Sequence, residues 1–209
     1  MSNPSNIVAD ALRADILDGR ILPDAPIRQD ALAERLSVSR TPVRQALHLL
    51  AGEGFVTYNP NRGARVAAFS AAQVRDLFDM RLALEPMALA AALPHHDKIV
   101  WAEAEMALDR ADAPKRDATV LGRENTRFHS ALYAPSARAL LIETITRLTD
   151  RGVRAEIVAL SIEGRVETSA AEHRALLAAC VARDEAAAVR LLREHLTAAR
   201  DDTLAALGN

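Results

Sequence analysis

Aromatic side chains are scarce in this chain, with one tryptophan, two tyrosines and four phenylalanines among 209 residues. Hydrophobic residues nevertheless make up 50% of the sequence, and alanine and leucine dominate among them. Such a composition favours helices over sheets. We therefore expect a mainly α-helical protein.

Cysteine is almost absent, since Cys180 stands alone. It cannot form an internal disulfide, and its place in an apolar run indicates a small packed side chain in a reducing compartment. Long uncharged apolar runs are also missing: the longest, residues 86–94, is far below the ~20 residues that span a bilayer. The N-terminus carries no signal-like segment, so we expect a soluble cytoplasmic protein that contacts no membrane.

Net charge is small as well, at −2, but the positive charges are concentrated. Residues 35–65 carry five arginines against the single acid Glu53, whereas residues 69–209 carry 18 basic and 21 acidic side chains. A local positive potential is what a phosphate-binding surface requires. The charge pattern points to nucleic-acid binding by the first third of the chain.

A helix that begins at Arg40 has one polar face. At 100° per residue, five polar side chains fall within about 140° of its circumference: Arg40, Thr41, Arg44, Gln45 and His48. The opposite side gathers apolar residues, as a core face does: Val43, Ala46, Leu47 and Leu50. Ser39 suits the N-cap and is counted with the polar set, and Pro42 suits the first turn. This pattern predicts a DNA-recognition helix.

A short preceding helix and a following hairpin complete the motif. Residues 29–36 form a helix joined to the recognition helix by the tight Ser37-Val38-Ser39 connection, which is helix-turn-helix spacing. Residues 55–58 and 64–66 are strand candidates around a turn-rich loop, which predicts a wing with Arg62 at its tip. An ordinary solvated helix face is the alternative, but the turn, cap, polar face and wing would then coincide by accident.

From Leu32 to Val66 the chain resembles the winged helix-turn-helix of the GntR family of bacterial transcription regulators. The resemblance lies in the segments LAERL, VSRTPVRQAL, EGFV and NRG. It implies contacts to operator bases and phosphates by the recognition helix and a minor-groove contact by the wing tip; the matching positions are Arg40, Thr41, Arg44, Arg62 and Gly63. Residues 23–26, Pro-Asp-Ala-Pro, depart from the family's Pro-Gly turn.

Beyond residue 69 the pattern is wholly helical. Proline breaks and caps divide it into six helices over about 70–92, 98–110, 119–133, 135–161, 169–181 and 184–207. Short links make these an antiparallel bundle. The predicted fold is mainly α: a winged helix-turn-helix DNA-binding domain over residues 1–68, then an all-α six-helix domain over 69–209.

Three histidines and one asparagine converge in this predicted bundle. Asn125 and His129 are one turn apart on one helix face. His173 and His195 each lie about 11 residues from the link between their helices, which places both roughly 16 Å from that turn. Three imidazoles and an oxygen donor at one level suit zinc, nickel, copper or iron, with positions left for water or an anion. Separate, unrelated histidines are the alternative.

The motifs Asn-x-x-Phe-His at 125–129, Glu-His at 172–173 and His-Leu at 195–196 are similar to the metal site of the FCD effector domain, which belongs to the FadR branch of GntR regulators. The resemblance implies a divalent transition metal, zinc first and nickel, manganese or iron as alternatives. Its ligands would be Asn125, His129, His173 and His195. The family also implies a homodimer and a small organic acid as effector.

Arg81 is the candidate for binding that acid. Residues 79–85, DMRLALE, resemble the first FCD helix, whose arginine clamps an effector carboxylate. A planar guanidinium suits this bidentate task. An exposed helix pair between Arg81 and Glu85 is the alternative.

These features predict a metabolite-responsive transcription regulator, expected to be a nucleoid-associated repressor that binds pseudo-palindromic double-stranded operator DNA as a homodimer. A metal-dependent hydrolase is a rival. However, the chain has no His-Glu-x-x-His motif, and Glu172 beside His173 is expected to point away from that side of its helix. A constitutive DNA-binding protein with a structural metal is the third possibility. No catalytic residue is assigned.

One departure from the family yields a prediction, because many relatives carry Asp where this chain has Asn125. A divalent ion held by four neutral ligands keeps its full charge in the site. We expect Asn125→Asp to tighten metal binding and to weaken carboxylate binding. Calorimetric titration of both variants with metal and with acid measures the two affinities, and unchanged values for both would contradict the prediction.

Overall fold

The computed structural model describes residues 3–17, 20–59, 63–68, 70–112, 118–159 and 165–208. The chain divides into two compact units, Met1–Phe69 and Ser70–Asn209. Each unit encloses its own cluster of buried apolar residues.

Among its described residues, the first unit contains three helices and a small sheet. The helices are α1 (Pro4–Leu17), α2 (Gln29–Arg35) and α3 (Arg40–Gly52), and the strands are β1 (Pro26–Ile27), β2 (Val56–Asn59) and β3 (Gly63–Val66). The strand order is β1-β3-β2, and both pairings are antiparallel. The predicted winged helix-turn-helix is confirmed, with a third strand that the sequence pattern did not reveal. β1 has only two residues, so it carries no alternation that could be recognised.

The core of the first unit lies between α1, α3 and the sheet. The apolar side predicted for α3 is buried, and α1 packs against α3. The sheet contributes its inward residues: Val56, Ala64 and Val66. Alternation along β3 places Arg65 on the outer face of the same strand.

Asp24 has a backbone conformation that few residues other than glycine adopt readily. Its φ of +59° lies in the left-handed region, which aspartate tolerates better than most residues other than glycine. Arg65 on β3 donates from its Nε to Asp24 Oδ1 at 2.8 Å, and this hydrogen bond and the arginine charge hold the pKa of the Asp24 carboxyl below its usual value. The Asp24 N–H also donates to the Val66 carbonyl oxygen at 3.0 Å, so backbone and side-chain hydrogen bonds both join this turn to β3.

The described residues of the second unit form a bundle of six α-helices, as predicted. They are α4 (Ala71–Ala92), α5 (Lys98–Ala111), α6 (Ala118–Tyr133), α7 (Ala139–Ala159), α8 (Arg165–Val181) and α9 (Glu185–Ala206), with 3₁₀ turns at Leu93–His95 and Ala134–Ser136. α7 begins later than predicted, because the proline turn is followed by Ala137 at a φ of +53°. α8 begins four residues earlier than predicted.

Local signals in the sequence set several of these helix ends. Ser70 and Gln73 form a reciprocal capping box at the start of α4, and Asp184 caps α9 by accepting from the Ala187 N–H.

Cys180 lies in the core, and burial raises the pKa of its thiol to about 12. Among the described residues, no helix is both long enough and apolar enough to cross a bilayer.

Candidate DNA-binding surface and histidine centre

The two predicted sides of α3 are separated in the structure as the rotation per residue requires. All five residues of the polar face are exposed: Arg40, Thr41, Arg44, Gln45 and His48. All four residues opposite are buried: Val43, Ala46, Leu47 and Leu50. Burial of the apolar side anchors the helix to its unit. The cationic side is left on the surface of the first unit.

The start of α3 differs from the prediction in one respect. Ser39 occupies the N-cap position with extended backbone, but its side chain makes no capping hydrogen bond. The turn from α2 depends instead on Ser37, whose φ is +53°. Arg40, just inside the helix, places its Nε 2.5 Å from Asp30 Oδ1, and both side chains are largely exposed. Ser39 is exposed and sits beside this arginine.

The wing continues from the recognition helix. β2 and β3 pair in register from Val56 opposite Val66 to Asn59 opposite Gly63. Gly63 has a φ of +80°, which a side chain would strain, so this end of β3 favours glycine. The His48 ring meets the Tyr58 ring edge-on at 4.7 Å between centroids, which joins α3 to the wing. Arg62 lies outside the described residues.

The three predicted histidines meet in the core of the second unit. His129 on α6, His173 on α8 and His195 on α9 are all buried. His173 Nε2 lies 3.2 Å from His129 Nε2 and 3.2 Å from His195 Nε2. The predicted convergence of the imidazoles is therefore confirmed. We call this cluster the histidine centre.

The spacing of these nitrogens matches the needs of a metal ion. Two imidazole nitrogens bound tetrahedrally at about 2.0–2.1 Å from one zinc ion lie roughly 3.3 Å apart. One ring nitrogen from each of the three histidines lies within 4.8 Å of the other two. The donor set suits a borderline-soft transition metal better than magnesium or calcium, which prefer oxygen ligands.

A buried hydrogen-bond chain orients His129. Arg81 Nε lies 2.5 Å from Glu85 Oε1, and Tyr133 donates from its hydroxyl to Glu85 Oε2 at 2.8 Å. The same Tyr133 oxygen lies 3.1 Å from His129 Nδ1. Because the phenol proton goes to Glu85, the ring nitrogen must donate to Tyr133. The lone pair of His129 is therefore on Nε2, facing the histidine centre.

Burial also keeps His129 neutral. Desolvation lowers the pKa of its imidazole well below the usual value, and the neighbouring His173, His195 and Arg81 lower it further. A neutral imidazole is the form that binds a metal. Burial and the Glu85 carboxylate raise the pKa of Tyr133 well above its usual value, so its hydroxyl stays protonated.

Glu172 points away from the His173 side of α8, as predicted, but the sequence did not indicate that it would contact another histidine. It lies on α8 next to His173, yet its Oε2 accepts a hydrogen bond from His195 Nδ1 on α9 at 2.7 Å. Adjacent helix residues do diverge by 100°, but α9 packs beside α8, so the direction away from His173 leads to a second histidine. The carboxylate sits behind the His195 ring, on the side opposite Nε2.

The two remaining candidates of this unit are Asn125, predicted as a metal ligand, and Arg81, predicted to bind the effector. Asn125 is half-buried on α6, four residues before His129 and on the same face. Arg81 is 1% exposed and Glu85 0%, so the alternative of an exposed helix pair is wrong: the two residues form a buried ion pair. The guanidinium also stacks over the Phe78 ring at 5.0 Å.

Sequence reasoning gave no role at this site to Glu85, Tyr133 or Glu172: Glu85 was named only as an exposed partner of Arg81, and Glu172 only as an acid that points away from His173. A spacing of four residues separates Arg81 from Glu85 on α4 and His129 from Tyr133 on α6, so the helical period could indicate each of these two pairs. The hydrogen bond that joins the pairs runs from Tyr133 on α6 to Glu85 on α4, 48 residues apart in sequence. No local pattern encodes such a contact.

Comparison with known proteins identifies both units. The FCD domain family matches residues 76–198, and the gntR family of bacterial regulatory proteins matches residues 4–66. The chain belongs to the GntR family. It carries an FCD domain and is a DNA-binding transcription regulator.

Individual relatives agree with this assignment along most of the chain. The HTH-type transcriptional repressor GlaR of Escherichia coli K12 is 31% identical over 196 residues, which cover 88% of this chain and 89% of GlaR. The solved structure of E. coli McbR/YncC has a TM-score of 0.85 at 25% identity, with both chains fully covered. A transcriptional regulator GntR from Rhodococcus sp. RHA1 has a TM-score of 0.86 at 25% identity, covering 96% of this chain and 97% of its own.

The hydrogen-bond chain makes a prediction for stability. Tyr133→Phe removes the hydroxyl that satisfies both Glu85 and His129 while keeping the buried ring. Leaving buried polar groups unpaired costs about 1–3 kcal/mol, so we expect the free energy of unfolding to fall by that amount. Denaturant titration measures it, with Tyr58→Phe, the other tyrosine of the chain, as the control. A free energy of unfolding equal to that of the wild type would show that the chain of contacts does not form.

Proposed function

We propose that this regulator is a metabolite-responsive repressor. Its DNA-binding domain, residues 1–68, would bind operator DNA, and its effector domain, residues 69–209, would bind a small carboxylate beside a divalent metal and form the dimer. The observation that carries the proposal is the convergence of three imidazole Nε2 atoms inside a helical domain joined to an exposed cationic recognition helix. The repressor assignment is supported by the name of the relative GlaR.

The polar face of α3 is proposed as the part that enters the major groove. Arg40 and Arg44 would contact phosphates or guanine edges, with Thr41, Gln45 and His48 alongside. Ser39 and the wing residues Arg62 and Gly63 would contact the flanking backbone and minor groove. One such helix covers only a few base pairs, so a homodimer on a pseudo-palindromic site supplies affinity and register.

The histidine centre is proposed as the metal site. His129, His173 and His195 would bind the ion through Nε2, and Asn125 would add its carbonyl oxygen. Zinc suits this set, and nickel, manganese or iron are the alternatives. A bound divalent ion supplies a positive charge and an open position that attract a carboxylate.

Arg81 is proposed as the second contact of the effector. Because its guanidinium is buried and already contacts Glu85, an effector carboxylate at Arg81 would share or replace that contact. Tyr133 hydrogen-bonds both Glu85 and His129, so such an exchange would alter the hydrogen bonds that orient His129 in the histidine centre. The effector changes DNA binding only if the DNA-competent and incompetent arrangements bind it with different affinities.

Hydrolysis is the rival that the geometry favours less. A metal hydrolase needs a base beside the metal-bound water. Glu172 is the acid expected nearest the histidines, and its carboxylate is engaged behind the His195 ring at Nδ1. We therefore propose a binding site without catalysis. We also propose that the protein is cytoplasmic and associated with the nucleoid, as operator binding requires.

DNA recognition makes a prediction for the arginine at the centre of the polar face. Arg44→Ala should weaken binding to a duplex selected by the wild-type protein from a random library by about 1–3 kcal/mol, since a base or phosphate contact is lost. Fluorescence anisotropy at several salt concentrations measures affinity and salt slope. Arg190→Ala on α9, where the arginine pairs with Glu194 at the surface, removes the same charge and should bind as the wild type. Equal affinities for both variants would exclude the proposed face.

Effector binding predicts a metal-dependent response. In a thermal-shift screen of small carboxylic acids, at least one acid should raise the melting temperature, and more so with zinc present than with chelator. A ligand at 100 times its Kd stabilises the folded state by about 2.7 kcal/mol. The same acid should change DNA affinity. Stabilisation without any change in DNA affinity favours the constitutive protein, and turnover of an ester or amide favours the hydrolase.

A further inference from the structure

Glu172 contacts the histidine centre from outside. Its Oε2 accepts from His195 Nδ1 at 2.7 Å, and the two side chains are 26% and 5% exposed. A carboxylate only accepts hydrogen bonds, so the ring proton of a neutral His195 is on Nδ1 and its lone pair is on Nε2. That lone pair faces His173 Nε2 at 3.2 Å. The carboxylate therefore sets which nitrogen of His195 faces the centre.

The contact at His129 achieves the same orientation without a direct charge. There the acceptor is the neutral hydroxyl of Tyr133. Glu85 lies one hydrogen bond further out, and its negative charge is shared with the buried guanidinium of Arg81. Of these two contacts at Nδ1, to Tyr133 and to Glu172, that of Glu172 brings an anion into direct contact with an imidazole.

The four proposed metal ligands would leave the charge of a divalent ion unbalanced. Three neutral imidazoles and the amide of Asn125 would place no negative charge around a divalent ion. A carboxylate hydrogen-bonded to a metal-bound histidine makes the imidazole more basic and stabilises the cation from one layer further out. Glu172 is in position to do this across the His195 ring.

We propose that Glu172 is the positioning residue of the histidine centre and its outer anion, in place of the carboxylate that Asn125 does not provide. This inference rests on the proposed metal site. It assigns to Glu172 two effects that can be measured separately: it holds the Nδ1–H form of His195, and it raises the affinity for the metal ion.

Zinc titration of the full-length, metal-free protein tests the second effect. Competition with a chromogenic chelator should give a Kd for zinc about 10–100 times higher for Glu172→Gln than for the wild type. Glu194→Gln is the matched control, because Glu194 precedes His195 directly, is 58% exposed and pairs with Arg190. It removes the same charge from the chain and should leave the zinc Kd unchanged. Glu172→Ala, which also removes the acceptor, should bind zinc more weakly than Glu172→Gln.

Long-range ¹H–¹⁵N NMR of the metal-free protein tests the first effect. The wild-type His195 should give the signature of an Nδ1–H imidazole, and Glu172→Ala should give a mixture of the two neutral forms. Glu172→Gln should retain the Nδ1–H form, since its amide oxygen still accepts. A general loss of structure would not separate the variants in this way.

The outcomes distinguish this inference from the proposed function. If the wild type and Glu172→Gln bind zinc equally, Glu172 has no such role although the metal site stands. If Glu172→Gln and Glu194→Gln weaken binding equally, the effect is one of overall charge and the inference is wrong. If the wild type binds no zinc, nickel, manganese or iron, both the metal site and the inference fall.

Discussion

The second unit depends on holding ring nitrogens of three buried histidines, His129, His173 and His195, within 4.8 Å of one another. Three neutral rings with lone pairs that face one point repel unless a proton or a cation lies between them. The buried helices impose this arrangement through their packing. Phe128, beside His129 in sequence, contacts the His173 ring at 4.7 Å between centroids, and Leu196 follows His195 into the core. The apolar core and the polar centre are therefore built from adjacent residues.

The buried ion pair of Arg81 and Glu85 gains contacts with Tyr133 and Phe78 that offset its desolvation, and these four residues form a polar layer beside the histidine centre. A buried ion pair such as Arg81 with Glu85 loses much of its Coulombic gain to desolvation. Here Glu85 accepts a second hydrogen bond from Tyr133, and Arg81 stacks on Phe78, so both charges gain further contacts. This layer connects α4, which carries the proposed effector contact, with α6, which carries His129. Metal and effector would thus act on one continuous set of hydrogen bonds.

Periodicity made some of this structure predictable and left the rest out of reach. The two sides of α3 followed from a rotation of 100° per residue, because burial on one side of a single helix is a local property. The common level of His173 and His195 followed from equal distances to one turn. The contact from Glu172 to His195 did not, since it depends on which neighbour lies beside α8. The left-handed backbone of Asp24 and its ion pair with Arg65 on β3 were also out of reach, since the two residues are 41 positions apart in sequence.

The central claim is that His129, His173 and His195 bind one ion through Nε2. X-ray diffraction from crystals grown with zinc, recorded above and below the zinc absorption edge, tests it most directly. The account predicts a single anomalous peak about 2.0–2.1 Å from all three Nε2 atoms. A map with no peak at this point, or with zinc bound through Nδ1 or elsewhere on the chain, would contradict it.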